Sequence, residues 1–223
     1  MNQLPNGLLP SRLVKIPMLL LLVFGMVGCG PTLEEMGSIG KDKDGNVDSF
    51  TLAVHTDKVS DAGLSRLKGL TSLRLLSLQD SMQITDAGLV HLKRLTSLSQ
   101  LYLNNTQFSD AGLEHLKGLT RVLALHLTGT QITGAGFVHL TGLANLRTLN
   151  LTDTPITDAG VEHLKGLTSL NMLVLSDTQI SDAGLEHLKG LTNIKFLSLD
   201  NTQISDAGVE DLKKALPQCN ITK

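Results

Sequence analysis

The chain has 223 residues, with 19 Lys and Arg against 21 Asp and Glu and a formal net charge of −2. Its hydrophobic fraction of 41% excludes a disordered chain, while an aromatic content of 3%, with no Trp and one Tyr, joins the near-neutral charge in excluding a nucleic-acid protein with a basic face and stacking rings. Two cysteines exclude a disulfide framework, and Leu, Ile, Ala, Thr and Gly are left to pack the core.

Residues 1–28 read as an export signal. Arg12 and Lys15 precede an apolar run, Ile16 to Val27, that is shorter than the ~20 residues of a membrane span. The stretch Met26-Val27-Gly28-Cys29 resembles the lipobox of bacterial lipoproteins, although Met26 stands where that family has Leu. The resemblance implies cleavage before Cys29 and lipidation of Cys29. Cleavage takes away Arg12 and Lys15 and no acid, which moves the net charge from −2 to −4. Cys219 is then the remaining free thiol, expected as a small buried residue in the last turn. Gly30 after the Cys implies, by the same resemblance, export to an outer membrane in an organism that has one.

Residues 29–49 read as a lipidated N-terminus, a short helix and a hairpin cap. Thr32 and Glu35 have capping-box spacing ahead of a helix from Leu33 to Met36. Asp44-Gly45, between Ile39 and Val47, marks a hairpin turn. The oxygen-rich stretch from Asp42 to Asp48 is read as that turn. As a calcium loop starting at Asp42 it would need Gly and Glu where Val47 and Ala53 stand. Phe50, Leu52 and Val54 alternate as a first strand.

From residue 50 to 223 the chain repeats itself. Asp-Ala-Gly begins at Asp61, Asp86, Asp110, Asp158, Asp182 and Asp206, and Gly134-Ala135-Gly136 fills the gap in register. The first spacing is 25 and the rest are 24, with the extra residue near Met82. A leucine frame keeps step, as in Leu98-x-x-Leu101-x-Leu103 and Leu146-x-x-Leu149-x-Leu151. Within a unit, Leu101 and Leu103 alternate at strand period. Asp110 is positioned to cap a helix that carries Leu113, Leu116 and Leu119 at intervals of three and ends at Gly118. One unit cannot cover its own leucines, so neighbours must stack. Seven strands at ~4.8 Å give a body about 30 Å long.

This frame resembles the leucine-rich repeat, and the Thr-Asp-Ala-Gly-Leu segment is similar to its ribonuclease-inhibitor-like and F-box classes. The resemblance implies an α/β fold: a right-handed leucine-rich-repeat solenoid in a horseshoe arc, with a parallel β-sheet on the concave face and short helices on the convex face. Thr106, Thr130, Thr154, Thr178 and Thr202 take the column where Asn or Cys is usual, and are expected to bridge successive turns. Gly134 replaces a capping Asp, so Gly134→Asp is expected to stabilise by about 0.5 kcal/mol. The last turn, Ala215 to Ile221, looks truncated and leaves that end open to self-association.

The candidates for chemistry are few. His91, His115, His139, His163 and His187 form a column, but no carboxylate or thiol completes a metal set within the unit. They are read as flanking residues that stack on their neighbours, with Glu114, Glu162 and Glu186 on the other flank. No nucleophile–base pair and no phosphate loop is present in the sequence, so neither catalysis, nor a cofactor, nor a metal is expected. Individuality is confined to the outward positions of the strands. These give a candidate partner-binding face: Leu75, Gln100, Tyr102, Asn104, His126, Asn150, Met172, Val174, Phe196 and Asp200. The expected function is a non-catalytic protein-binding lipoprotein of the cell envelope, anchored to the membrane through Cys29 on the periplasmic or surface side, with no nucleic-acid partner. The alternatives are an envelope structural or adhesive element and, more remotely, an F-box-like substrate receptor in ubiquitin-dependent degradation.

Overall fold

The computed structural model describes residues 33–52 and 59–223. The export signal, Cys29, Thr32 of the capping box and Val54 lie outside the described residues. No helix among the described residues is long and apolar enough to cross a membrane.

A short helix, Leu33–Met36, leads into an antiparallel hairpin of β1 (Gly37–Lys41) and β2 (Val47–Leu52). Seven short parallel strands follow: β3 (Leu75–Ser77), β4 (Gln100–Tyr102), β5 (Ala124–His126), β6 (Thr148–Asn150), β7 (Met172–Val174), β8 (Phe196–Ser198) and β9 (Asn220–Thr222). They add to β2 in sequence order and make one nine-stranded sheet among the described residues. Register is kept from strand to strand, so that Phe50, Leu76, Leu101, Leu125, Leu149, Leu173, Leu197 and Ile221 form one inward column. From Phe50 to Leu197 that column is buried, and each fully buried Leu is worth roughly 1.5–3 kcal/mol.

Behind the sheet each repeat carries a short helical segment, several of them 3₁₀ rather than α, as in Asp110–Leu116 and Ala135–Leu140. Spacing alone does not decide which, because the same DAGLEHL sequence is 3₁₀ at Asp110–Leu116 and α at Asp182–Leu188. In Asp110–Leu116 side chains at i and i+3 eclipse, so Leu113 and Leu116 both point into the core, and Leu119 just beyond the segment is buried as well. Gly118 is not among the residues with positive φ, and the segment ends instead on Lys117 in right-handed geometry. The left-handed turn falls at the exits from β3 to β8, at Asp80, Asn105, Gly129, Asp153, Asp177 and Asn201. Asn, Asp and Gly are the residues that tolerate that conformation.

The Asp of Asp-Ala-Gly does not cap its own helix. Ser109, one residue earlier, accepts the N–H of Ala111 at 3.4 Å, and Ser181 accepts that of Ala183 at 3.3 Å. The carboxylate reaches forward to the next repeat instead. The N–H and hydroxyl of Ser181 donate to Asp158 at 2.8 and 2.6 Å. Asp61, Asp86 and Asp182 hold Thr85, Ser109 and Ser205 in the same way. The Gly of the motif makes room for this latch, because a Cβ on Gly112 would fall 2.5 Å from Oδ1 of Asp86.

The threonine column behaves the opposite way. Thr106, Thr130, Thr154 and Thr178 are buried, and each donates its hydroxyl to the carbonyl three residues earlier in its own repeat, at 2.6–2.7 Å. They close the strand-exit turn and do not bridge successive repeats.

Gly134 also departs from expectation. Its φ is 101°, and a Cβ there would lie 2.5 Å from Cα of Gly160. An Asp side chain has no room, so the expected gain from Gly134→Asp is reversed. At the C-terminal end the last helix is longer, Asp206–Ala215, and β9 covers the edge of β8. That end is better covered than its length suggests. Cys219 is half-buried rather than fully buried.

Candidate functional site: the concave sheet face

The strands present two outward columns. Leu75, Gln100, Ala124, Thr148, Met172, Phe196 and Asn220 form the first, and Ser77, Tyr102, His126, Asn150, Val174, Ser198 and Thr222 the second. All ten residues singled out in the sequence retain solvent access. Gln100 and Met172 are the exposed ones, Met172 at 39%, and Phe196 is half-buried. Asn104 and Asp200 sit just beyond the two columns, at the strand exits.

Side chains on this face are held by one another. The rings of Tyr102 and His126 stack at 4.6 Å and 21°, and the Tyr102 hydroxyl donates to Gln100 at 3.1 Å. Burial lowers the pKa of His126, which favours the uncharged ring. Asn104 accepts the N–H of Thr128, and Asn150 accepts both the N–H and the hydroxyl of Thr152.

At the C-terminal end Ser176, Ser198 and Thr222 converge on Asp200. The Ser176 and Ser198 hydroxyls lie 2.7 Å apart, Thr222 donates to Asp200 at 3.1 Å, and Ser198 also donates to it. Hydrogen bonds from Ser198 and Thr222 hold the Asp200 carboxyl below the usual range, so it stays charged. Thr222 was not legible as part of this face, because the tail looked like a truncated turn.

The rims of the face were not anticipated either. Parallel strands put their entries along one rim and their exits along the other. The entry rim carries Arg74, Arg121, Arg147 and Lys195, all exposed. The exit rim carries Asp80, Asp153 and Asp177, with Asp200 beside them. A shallow cleft of about 470 Å³ runs along the entry rim beside Arg74 and Arg121.

Elsewhere, the Asp42 carboxylate is occupied by its own turn, accepting the N–H groups of Asp44 and Asn46 at 2.9 Å. The five-histidine column is half-buried along the helical side. Burial and the neighbouring Lys68 and Lys93 lower the pKa values of His91 and His115, respectively. The glutamates pair with Lys three residues on, and Glu162 also feels the charge of His187 in the next repeat. Among the described residues no group of three or more His, Cys, Asp or Glu is placed to hold a metal ion.

A solenoid of stacked strand–turn–helix units with a variable concave face defines a class of scaffold, and the comparisons agree with it. The leucine rich repeat family model matches residues 144–204. Internalin C2 of Listeria monocytogenes is 30% identical over 78% of this chain and 70% of its own, with a TM-score of 0.63. A leucine-rich-repeat protein of Leptospira interrogans is 21% identical, over 71% of this chain and 45% of its own, with a TM-score of 0.53. The ectodomain of the Arabidopsis thaliana receptor kinase GASSHO1/SCHENGEN3, solved in complex with Casparian strip integrity factor 2, is 17% identical, over 84% of this chain and 25% of its own, with a TM-score of 0.58. No curated protein matches the chain significantly. The chain belongs to the leucine-rich-repeat family. Proteins of this family typically mediate protein–protein interaction and are generally non-catalytic scaffolds.

Proposed function

We propose that the chain is a lipid-anchored, non-catalytic protein-binding module of the cell envelope, and that its partner lies on the concave sheet face. The observation that carries the reading is a contrast within each strand. The inward column is Phe, Leu or Ile throughout, while the outward columns change character at nearly every repeat. Packing accounts for the first and leaves the second free to specify a ligand. A stacked ring pair at the centre and an exposed Met172 beside Phe196 supply the apolar anchors such interfaces use. The envelope address rests on the lipobox-like Met26 to Cys29 and on Gly30, which favours an outer membrane.

The test is a cross-linked capture from the native envelope, comparing the natural chain with Tyr102→Ala/Phe196→Ala. A discrete partner present with the first and lost with the second is the expected result. Partners indifferent to the double substitution contradict a concave-face site.

A further inference from the structure

The convex side repeats an ion pair that the segments beginning at Asp61 and Asp86 lack while keeping its lysine. Ala135–Leu140 lacks both partners, with Val138 and Thr141 in their places. Lys117, Lys165, Lys189 and Lys213 each bond the glutamate three residues earlier, at 3.3, 3.0, 2.6 and 2.9 Å. Lys68 and Lys93 stand in the same column, but Ser65 and Val90 occupy the glutamate's place. Two more departures from the frame add charge of the same sign. Arg66 opens the column that continues as His91 and His115, and Arg94 stands where the neighbouring repeats have Gly69 and Gly118. The acids that begin these two segments, Asp61 and Asp86, are drawn into their latches with Thr85 and Ser109.

Lys68, Lys93 and Arg94 are exposed, and Val90 lies among them at 39% exposure along an open cleft of about 440 Å³. Among the described residues these three cations form no ion pair. The patch is also near the point where the chain enters the solenoid. Met36 of the first helix packs at Gly63, its Cε 3.5 Å from where a Cβ would stand. Three residues separate Cys29 from Leu33, a reach of at most ~14 Å.

We infer that Arg66, Lys68, Lys93 and Arg94, around Val90, form a face that rests on an anionic lipid surface, a second membrane contact in addition to the anchor at Cys29. This rests on the lipid-anchored reading above. A tether that short holds the first repeats at the bilayer whatever else the protein meets, so the surface they meet most is lipid. Near an anionic bilayer each such cation strengthens attachment roughly five-fold, and a basic patch is the usual complement to an acyl chain. The paired lysines of the later repeats carry no comparable excess charge.

The test uses the full chain as the cell makes it, reconstituted on phosphatidylcholine vesicles with and without ~30% phosphatidylglycerol. Amine labelling of each lysine is read by mass spectrometry. Labelling of Lys68 and Lys93 should fall about five-fold or more when the anionic lipid is present, and recover in ~0.5 M salt, while Lys165 and Lys189 stay unchanged. The exposed pair Arg94→Gln/Lys93→Gln should restore labelling of Lys68. Equal labelling on both vesicles, or protection shared by Lys165 and Lys189, overturns the inference. The mass of the mature N-terminus separates the two readings. A lipid-free N-terminus overturns the anchor and this inference together, whereas a lipidated one without protection overturns only the inference.

Discussion

Single residues carry the contacts between repeats. The carboxylate of Asp158 satisfies both the N–H and the hydroxyl of Ser181 in a part-buried site. Asp158→Ala should therefore lower stability by about 1–3 kcal/mol, read as a drop in the urea midpoint. Among the described residues the Asp206 carboxylate is bonded by Lys223 and not by a Ser or Thr, and its side chain is 96% exposed. Asp206→Ala removes only an exposed ion pair and should lower the midpoint far less, and equal losses at both positions would refute the latch. Gly134→Asp should destabilise by roughly 2–3 kcal/mol, since the side chain meets the Gly160 backbone in a left-handed conformation. A raised midpoint would contradict that. The residue identities of this motif were plain in the sequence, but their direction was not. Asp and the preceding Ser or Thr are both good caps, and the one-residue offset that decides between them depends on where the next repeat lies.

At the scale of elements, the repeat period and leucine frame fixed strand, turn and helical segment within a few residues. The 3₁₀ character was not legible, since the same DAGLEHL sequence is 3₁₀ at Asp110–Leu116 and α at Asp182–Leu188. The ninth strand was missed because three residues, Asn220 to Thr222, hold no alternation of their own and form a strand only by pairing with β8. Acid should loosen the contacts between elements. Burial lowers the pKa values of His91 and His115, and the Ser205 bonds lower that of Asp182. In each case the unfolded chain binds protons more readily, so stability rises with pH. The contribution is complete above the ordinary His range. It is lost first as pH falls below about 6.5, then again as it falls through about 4. Urea midpoints at about pH 7.5, 5.5 and 3.5 should decline in that order. A flat or rising series would contradict the assignment.

At the scale of the whole molecule, the fold was legible and the candidate face was legible only in part. Period-two alternation places eight of the ten named residues in the two outward columns, because a parallel sheet in constant register keeps one face for each column, while Asn104 and Asp200 lie just beyond them. The rims were not legible, since the charge of Arg74 or Asp153 acquires a direction only once the strands are known to run parallel. That the interaction surface is the concave face is the central claim. Its most direct measurement is site-specific photo-cross-linking in living cells, with the reactive side chain at Met172 on the concave face and at exposed Val138 on the convex face. The account predicts an adduct of discrete mass from position 172 and none of that mass from 138. The same adduct from 138 alone, or from both positions equally, would contradict it.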